Sequence, residues 1–482
     1  MKLKELLRDI PVTEMSADPE TEIGDIRYDS RAVGQGDLFV AVEGYQSDGH
    51  RFIPMAAERG AAAVLCQKKP ETDVPYILTP NSRRALALAS AAFFGYPAEQ
   101  LVMIGVTGTN GKTTSTTLIK HMLETCTGKK VGLIGTIANL IGDEVVETAR
   151  TTPESYELQK LLRRMADAGC EYAVMEVSSH ALVLDRVAGI RFRAGLFTNL
   201  TQDHLDFHKT MKDYAAAKSL LFTVSDAAAI NVDDIWAPYM GQSADCPVLG
   251  FSAKERGADL SASDIRYAAD GVSFTAHCGS ESVPVVLGIP GQFTVSNALT
   301  VLAAGILLDL PLSEAAASLG TAQGVKGRVE VVPTPEDYTV VIDYAHTPDA
   351  LEKVLKTMKA VAKGRVVAVF GCGGDRDATK RPIMGRIAAE NADFTVVTSD
   401  NPRSEQPEAI IADIVAGMPE DAPKQVICDR REAIFWALAH HEPEDVIVLA
   451  GKGHETYQEI RGVKNHMDER EIVADYLNGS ER

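Results

Sequence analysis

The densest run of chemistry-bearing residues is Gly105 to Thr114, GVTGTNGKTT. Its glycines let backbone N–H groups face phosphate oxygens, Lys112 offers a cation to the same oxygens, and the Thr113 and Thr114 hydroxyls suit magnesium. Gly108, Thr109, Asn110, Gly111, Lys112, Thr113 and Thr114 therefore read as a site for a nucleoside triphosphate. The spacing departs from the strict loop, because Val106 stands six residues before Lys112 and Gly105 one residue earlier still. Such a loop fixes the nucleotide and not the reaction, since kinases, GTPases and motors all use one. Two later segments add donors. Glu176 closes YAVMEV ahead of Ser178, Ser179 and His180, and TNLTQDHLDFH carries Asp203, His204, Asp206 and His208. Carboxylate and imidazole on neighbouring strand ends beside a phosphate loop suit a divalent cation. Singly, each is an ordinary polar residue.

These residues need a scaffold, and the hydrophobic pattern supplies one. From Leu101 the chain reads strand (LVMIGV), glycine loop, then a helix in TTSTTLIKHMLE. Buried-strand candidates follow at Val131 to Gly135, Tyr172 to Val177, Ala194 to Leu200 and Ala227 to Val232. Short apolar strands alternating with helices imply a parallel sheet covered on both faces. A second series begins near Arg328, with strands at Thr339 to Tyr344, Arg365 to Gly371, Phe394 to Asp400 and Asp445 to Gly451, as in a doubly wound domain. Residues up to about 98 read as a smaller α/β domain, with apolar runs at Asp37 to Gly44 and Ala61 to Cys66. The expected fold class is α/β in three domains: 1–98, 99–328 and 329–482. Ligands belong on the loops after the strands, where open α/β sheets place them.

A chain of 482 residues with 45% hydrophobic content is too long for a single ordinary core. A net charge of -19 repels polyanions, so nucleic acid and anionic membranes are not expected partners. The N-terminus MKLKELLRDI has no long apolar run, and no stretch reaches the length of a membrane span, so a cytoplasmic protein is expected. The seven cysteines are scattered without a C-x-x-C pair, which suggests neither a disulfide framework nor a thiolate zinc site.

Taken together, GVTGTNGKTT, MEVSSHALVLDRV, TNLTQDHLDFH, PGQFTVSNALTVLAA and VIDYAHTPDAL resemble the Mur ligases, in particular the members that add the third amino acid to the UDP-muramoyl peptide. The resemblance covers nearly the whole chain. It implies three domains: a UDP-substrate domain, a central ATP-binding domain and a Rossmann-like C-terminal domain for the amino acid. It also implies a monomer using ATP, Mg²⁺ and UDP-N-acetylmuramoyl-L-alanyl-D-glutamate, with an acyl phosphate on the D-glutamate γ-carboxylate that the incoming amine attacks. By the same resemblance Glu176 and His204 are magnesium ligands with a hydroxyl from Thr113, and Lys218 is carbamylated by carbon dioxide into a further carboxylate-like ligand. Ser30 and the Tyr45, Gln46, Ser47 loop would meet the uridine end. Arg150, Thr151, Thr152, Pro153, Ser178 and Arg186 would hold the muramoyl dipeptide and diphosphate, while Leu184 stands where some relatives have a polar contact. Asn297, Arg328, Asp343 and His346 resemble adenine-nucleotide positions. A site divided between domains implies closure that excludes water from the acyl phosphate.

The amino acid is read from Asp400-Asn401-Pro402-Arg403 at the end of FTVVTSD. Asn-Pro alone can be a tight turn. Here Asp375-Arg376-Asp377 and Gly451 to Glu455 follow neighbouring strands, which brings complementary charges to one rim. Meso-diaminopimelate differs from lysine by a distal carboxylate, which calls for the paired planar donors of arginine. Arg403 is expected at that carboxylate, Arg376 at the other, Asp400 and Asn401 at polar contacts, and Gly451 and Glu455 near the distal amine. DNPR also resembles the signature of the diaminopimelate-adding members. Two other readings are folylpolyglutamate synthetase, which shares the glycine loop, and a nucleotide-binding regulator without catalysis.

Overall fold

The computed structural model describes residues 1–479 apart from 45–47, 149, 202, 255–256, 269, 323 and 336, with the backbone alone at 206. The chain divides into two compact units, one comprising Met1–Ser252 with Gly257–Leu260 and Thr300–Pro311, the other the remaining described residues.

The first unit holds a small sheet in the order Glu14–Met15, Tyr76–Leu78, Ala63–Cys66, Leu38–Val40, Ile26–Arg27, parallel except for its first strand. Its second sheet runs Val248–Ser252, Ala228–Asn231, Ala194–Phe197, Val102–Thr107, Tyr172–Glu176, Val131–Ile134, Asn139–Ile141, Glu144–Val146. The first six are parallel, as their unbroken apolar runs imply, and the last two form an antiparallel edge. Register matters to the site. Glu176 pairs with Val106 and Phe197 with Thr107, so three strands end at one level, where the helix Lys112–Thr127 begins. The small sheet is fastened to this one by Tyr156 donating to Asp25 at 2.6 Å and Tyr28 donating to Glu157 at 2.9 Å.

The second unit carries a sheet ordered Glu330–Val332, Thr339–Asp343, Val446–Ala450, Val366–Phe370, Phe394–Val397, Lys424–Val426, parallel except for the first strand. Alternate residues feed opposite faces. Val341, Ala368, Phe370 and Val448 pack with Leu351, Met384 and Ile414 from the helices of one face. Val340, Val367, Val369 and Ile447 pack with Ile434, Leu438 and Ile472 on the other. The same unit contains the hairpin Gly271–Cys278 with Glu281–Leu287, which the sequence reading did not anticipate.

Candidate active site

In the first unit the glycine loop is shaped by backbone conformation and a close approach. Gly108 and Gly111 have φ of 149° and 85°, and a Cβ on Gly108 would overlap the Thr198 hydroxyl, so a side chain is excluded twice over. The loop is pinned from the next strand: Thr198 Oγ1 donates to the Asn110 carbonyl at 2.7 Å, and the Asn110 N–H donates to Asn199 Oδ1 at 2.9 Å. Lys112 Nζ folds over the loop onto the carbonyls of Gly108 (2.9 Å) and Thr109 (2.8 Å). Thr113 and Thr114 lie in the first turn of the helix, whose N-terminus favours anions.

Lys218 comes from the helix Met211–Thr223. It is 1% exposed, and its Nζ donates to the Gly108 carbonyl at 2.7 Å above the Tyr214 ring at 4.6 Å. Burial, and next the charge of Lys112, hold its pKa well below the usual lysine range, so the neutral amine is favoured. Tyr214 also brings its hydroxyl to Thr109 Oγ1 at 3.3 Å. Glu176 is equally buried, and Thr136 orients both of its oxygens, Oε1 through its N–H (2.9 Å) and Oε2 through its hydroxyl (3.0 Å). Thr136 in turn meets Thr151 Oγ1 at 3.0 Å, and Thr152 Oγ1 donates to the Glu176 carbonyl at 2.9 Å and contacts Ser178 Oγ at 3.2 Å. The structure thus joins Thr151, Thr152 and Ser178 to Glu176 in one polar network. Arg186 donates to the Thr152 carbonyl at 3.2 Å and pairs with Glu154, which also receives Arg150.

His204 is exposed, with φ of 52°, its ring 5.1 Å from that of His180. His208 belongs to a different setting. It is buried, shares a 2.8 Å hydrogen bond with Ser179 and stacks on Tyr214; burial and the neighbouring His180, Lys218 and His204 push its pKa down to about 4. It packs the Leu205–His208 turn against its neighbours. The side chain of Asp206 lies outside the described residues. Among the described residues no three His, Cys, Asp or Glu side chains form a preformed metal cage. The donors present are the oriented Glu176 carboxylate and the threonine hydroxyls. Hard oxygen donors of this kind fit magnesium, which takes one or two protein groups and completes its shell with phosphate and water.

Ser30 is buried at a cavity of about 540 Å³ lined by Tyr28, Arg31, Phe52, Arg83 and Glu154. Two arginines and two aromatic rings at one opening suit a nucleotide diphosphate. Tyr45, Gln46 and Ser47 lie outside the described residues. Leu184 caps the helix Ser179–Val183 with no polar atom in its side chain.

In the second unit Asp343 ends its strand buried, accepting the Val329 N–H at 2.8 Å, and burial raises its pKa to about 6. The neighbouring Arg328 lies over the Tyr344 ring at 5.4 Å, with His346 and His454 on the same tyrosine at 4.5 and 4.8 Å. Asn297 is buried in the helix Gln292–Leu307. The loops after the strands converge as the rim argument requires. Gly374 donates its N–H to the Asn401 carbonyl at 2.9 Å, Arg403 Nη1 donates to the Gly374 carbonyl at 2.7 Å, and Asp375 accepts the Ser404 hydroxyl at 2.6 Å. Arg403 Nε also faces Glu459 at 3.3 Å. Asn401 bridges to Glu455 (2.9 Å) and accepts from Lys452 (2.8 Å), a fully buried lysine that pairs with Glu455 at 2.8 Å. Burial alone would raise the Glu455 pKa, yet the Lys452 hydrogen bond and charge bring it below the usual value. Asp400 is 8% exposed, and its Oδ2 has no hydrogen-bond partner among the described residues. Arg376 stands apart, exposed, with Nη1 on the Asp375 carbonyl at 3.4 Å. Thr136, Tyr214 and Lys452 were missed by sequence reasoning; for Lys452 the signal was its place inside GKGHE.

Three family models match the chain: the Mur ligase middle domain over residues 106–305, the Mur ligase glutamate ligase domain over 327–453, and the Mur ligase family catalytic domain over 22–94. A relative from Clostridium acetobutylicum, UDP-N-acetylmuramoyl-L-alanyl-D-glutamate–2,6-diaminopimelate ligase 1, is 47% identical over 481 residues, 99% of each chain. The chain belongs to the Mur ligase family. As a Mur ligase it is an ATP-dependent ligase of the α/β class. A solved UDP-N-acetylmuramoyl-L-alanyl-D-glutamate–2,6-diaminopimelate ligase superposes with a TM-score of 0.78 at 32% identity, covering 100% of this Mur ligase and 99% of that chain. Folylpolyglutamate synthase from Mycobacterium tuberculosis shares the fold, with a TM-score of 0.60 at 18% identity over 77% of this chain and 92% of its own. Among the described residues no helix is long and apolar enough to cross a membrane.

Proposed function

We propose that this Mur ligase joins meso-diaminopimelate to the D-glutamate γ-carboxylate of UDP-N-acetylmuramoyl-L-alanyl-D-glutamate, as a cytoplasmic monomer serving peptidoglycan synthesis. The observation that carries the reading is the rim of the second unit. Asp400 offers a buried carboxylate oxygen without a hydrogen-bond partner among the described residues, suited to an ammonium, and the same loop carries Arg403, whose planar fork suits a carboxylate. An amino acid with both groups at its distal end satisfies both.

The γ-carboxylate oxygen attacks the γ-phosphorus of ATP, ADP leaves, and an acyl phosphate forms. The diaminopimelate amine, having lost a proton, attacks the acyl carbon, and the tetrahedral intermediate expels phosphate to leave the amide. Lys112 offsets charge on the transferred phosphoryl group, and the loop N–H groups orient it. Magnesium would supply further charge neutralisation there, held by Glu176, the Thr113 hydroxyl, His204 and carbamylated Lys218. Carbamylation needs a neutral amine whose lone pair bonds to the carbon of carbon dioxide, with a proton released; the depressed basicity of Lys218 favours that form. Ser30, Thr151, Thr152, Ser178 and Arg186 hold the UDP substrate, with Tyr45 to Ser47 beside the uridine; Asn297, Arg328, Asp343 and His346 serve the adenine nucleotide. Asn401, Gly451 and Glu455 complete the amino-acid site, and Arg376 swings in from its exposed loop to the second carboxylate.

Phosphate release measured with ATP alone, with each substrate singly, and with both tests this reading. Release that depends on UDP-muramoyl dipeptide and diaminopimelate together is expected. Release supported equally by a folate and glutamate, or absent under all conditions, overturns it.

A further inference from the structure

Arg430 and Glu469 form an ion pair at 2.8 Å with both side chains entirely out of solvent, and neither has a role in the chemistry above. A buried pair is a poor device for stability, because desolvation consumes most of the Coulomb gain and apolar residues of similar volume often serve as well. What this pair does is grip backbone. Arg430 opens the helix Arg430–Ala439. Its Nη1 donates to the Ser399 carbonyl at 3.3 Å, its Nη2 to the Ala450 carbonyl at 2.8 Å, and its Nε to Glu469 Oε1 at 2.9 Å.

The two carbonyls stand at the carboxyl ends of strands that are not neighbours, for Val366–Phe370 runs between them. Each immediately precedes a residue of the amino-acid rim: Ser399 comes before Asp400, and Ala450 before Gly451. The rim is tight at that point. A Cβ on Gly451 would come within 2.7 Å of Asp400 Oδ2, so a small slip of either loop alters the space around the unpartnered carboxylate oxygen. One rigid fork can hold two carbonyls and a carboxylate at fixed angles, which the single ammonium of lysine cannot. Glu469 starts the helix Glu469–Leu477; its Oε1 takes the arginine, and its Oε2 is buried with no hydrogen-bond partner among the described residues. Its visible task is to aim the guanidinium.

We infer that Arg430 is a positioning residue for amino-acid recognition: oriented by Glu469, it spans the carboxyl end of the sheet and sets the spacing between Asp400 and Gly451. This rests on the amino-acid site proposed above. The test compares the unmodified enzyme with Arg430→Lys, which keeps the charge but not the fork, and with the double variant Arg430→Met/Glu469→Met, which removes the pair without leaving a lone buried ion. KM is measured separately for meso-diaminopimelate, ATP and the UDP substrate, with a thermal melt on each protein. A rise of about tenfold or more in the diaminopimelate KM of both variants, with the other two KM values within about twofold, is expected. Should Arg430→Lys fail to fold, the double variant alone decides by the same criterion. A diaminopimelate KM within about twofold of the unmodified enzyme, an equal rise in all three KM values, or a double variant that does not fold would overturn the inference. An unmodified enzyme that does not use meso-diaminopimelate at all overturns the site reading itself, a result the variants are not needed to detect.

Discussion

At the scale of single residues, the chemistry divides between groups whose type announces them and groups whose partner appears only on folding. Glu176 was legible because a carboxylate ends an apolar strand beside a phosphate loop. Thr136, which orients both of its oxygens, was not, because 40 positions separate the two and only the sheet unites them. Tyr214 was hidden in the same way, reading as an ordinary helix aromatic until its ring is seen beneath Lys218. Replacing Glu176 or His204 with Ala should lower kcat by about 10²-fold or more while the UDP substrate still binds. Titration of that substrate against each variant, beside turnover, checks this; near-normal turnover in both would remove the metal assignment. Lys218→Ala should be inactive and regain part of its activity when a small carboxylic acid such as acetate is added. Full activity without the acid would refute the adduct.

At the scale of elements, the strands read from short apolar runs that end in glycine or polar residues lie where those runs placed them, whereas the parallel strands Ile26–Arg27, Tyr76–Leu78, Val248–Ser252 and Lys424–Val426 were not anticipated. The hairpin Gly271–Cys278 with Glu281–Leu287 escaped because its pattern alternates. A search for unbroken apolar runs passes over one-sided strands. The Leu205–His208 turn supplies a test of packing. His208 stays neutral in the fold down to about pH 4, whereas in the unfolded chain it takes up a proton near its ordinary 6.5. Its contribution to stability is therefore fully present above about pH 6.5 and declines as pH falls from there towards 4. His208→Asn should flatten the dependence of melting temperature on pH across that window; an unchanged slope would show that other groups control it. Gly451→Ala should cost about 1–3 kcal/mol of stability from backbone strain and raise the KM for the amino acid, because at φ 116° its Cβ would press on Asp400. Chemical denaturation together with a substrate titration measures both effects.

At the scale of the whole molecule, the chain is a Mur ligase from one end to the other, with family models over each region and a relative matched over 99% of both chains. The sequence motifs already implied as much, because together they resemble that family over nearly the whole chain. Arg430 was illegible for the opposite reason. A charged residue inside an amphipathic pattern reads as surface until tertiary packing buries it. The central claim is that the rim carrying Asp400 and Arg403 selects an amino acid with a distal carboxylate beside its distal amine. The most direct measurement supplies meso-diaminopimelate and L-lysine side by side, with ATP and UDP-N-acetylmuramoyl-L-alanyl-D-glutamate, and reads the product by mass. The account predicts the diaminopimelate adduct and almost no lysine adduct, a discrimination of about 10⁴-fold, since a site built to hydrogen-bond a substrate group rejects the analogue that lacks it. Equal formation of both adducts would contradict it.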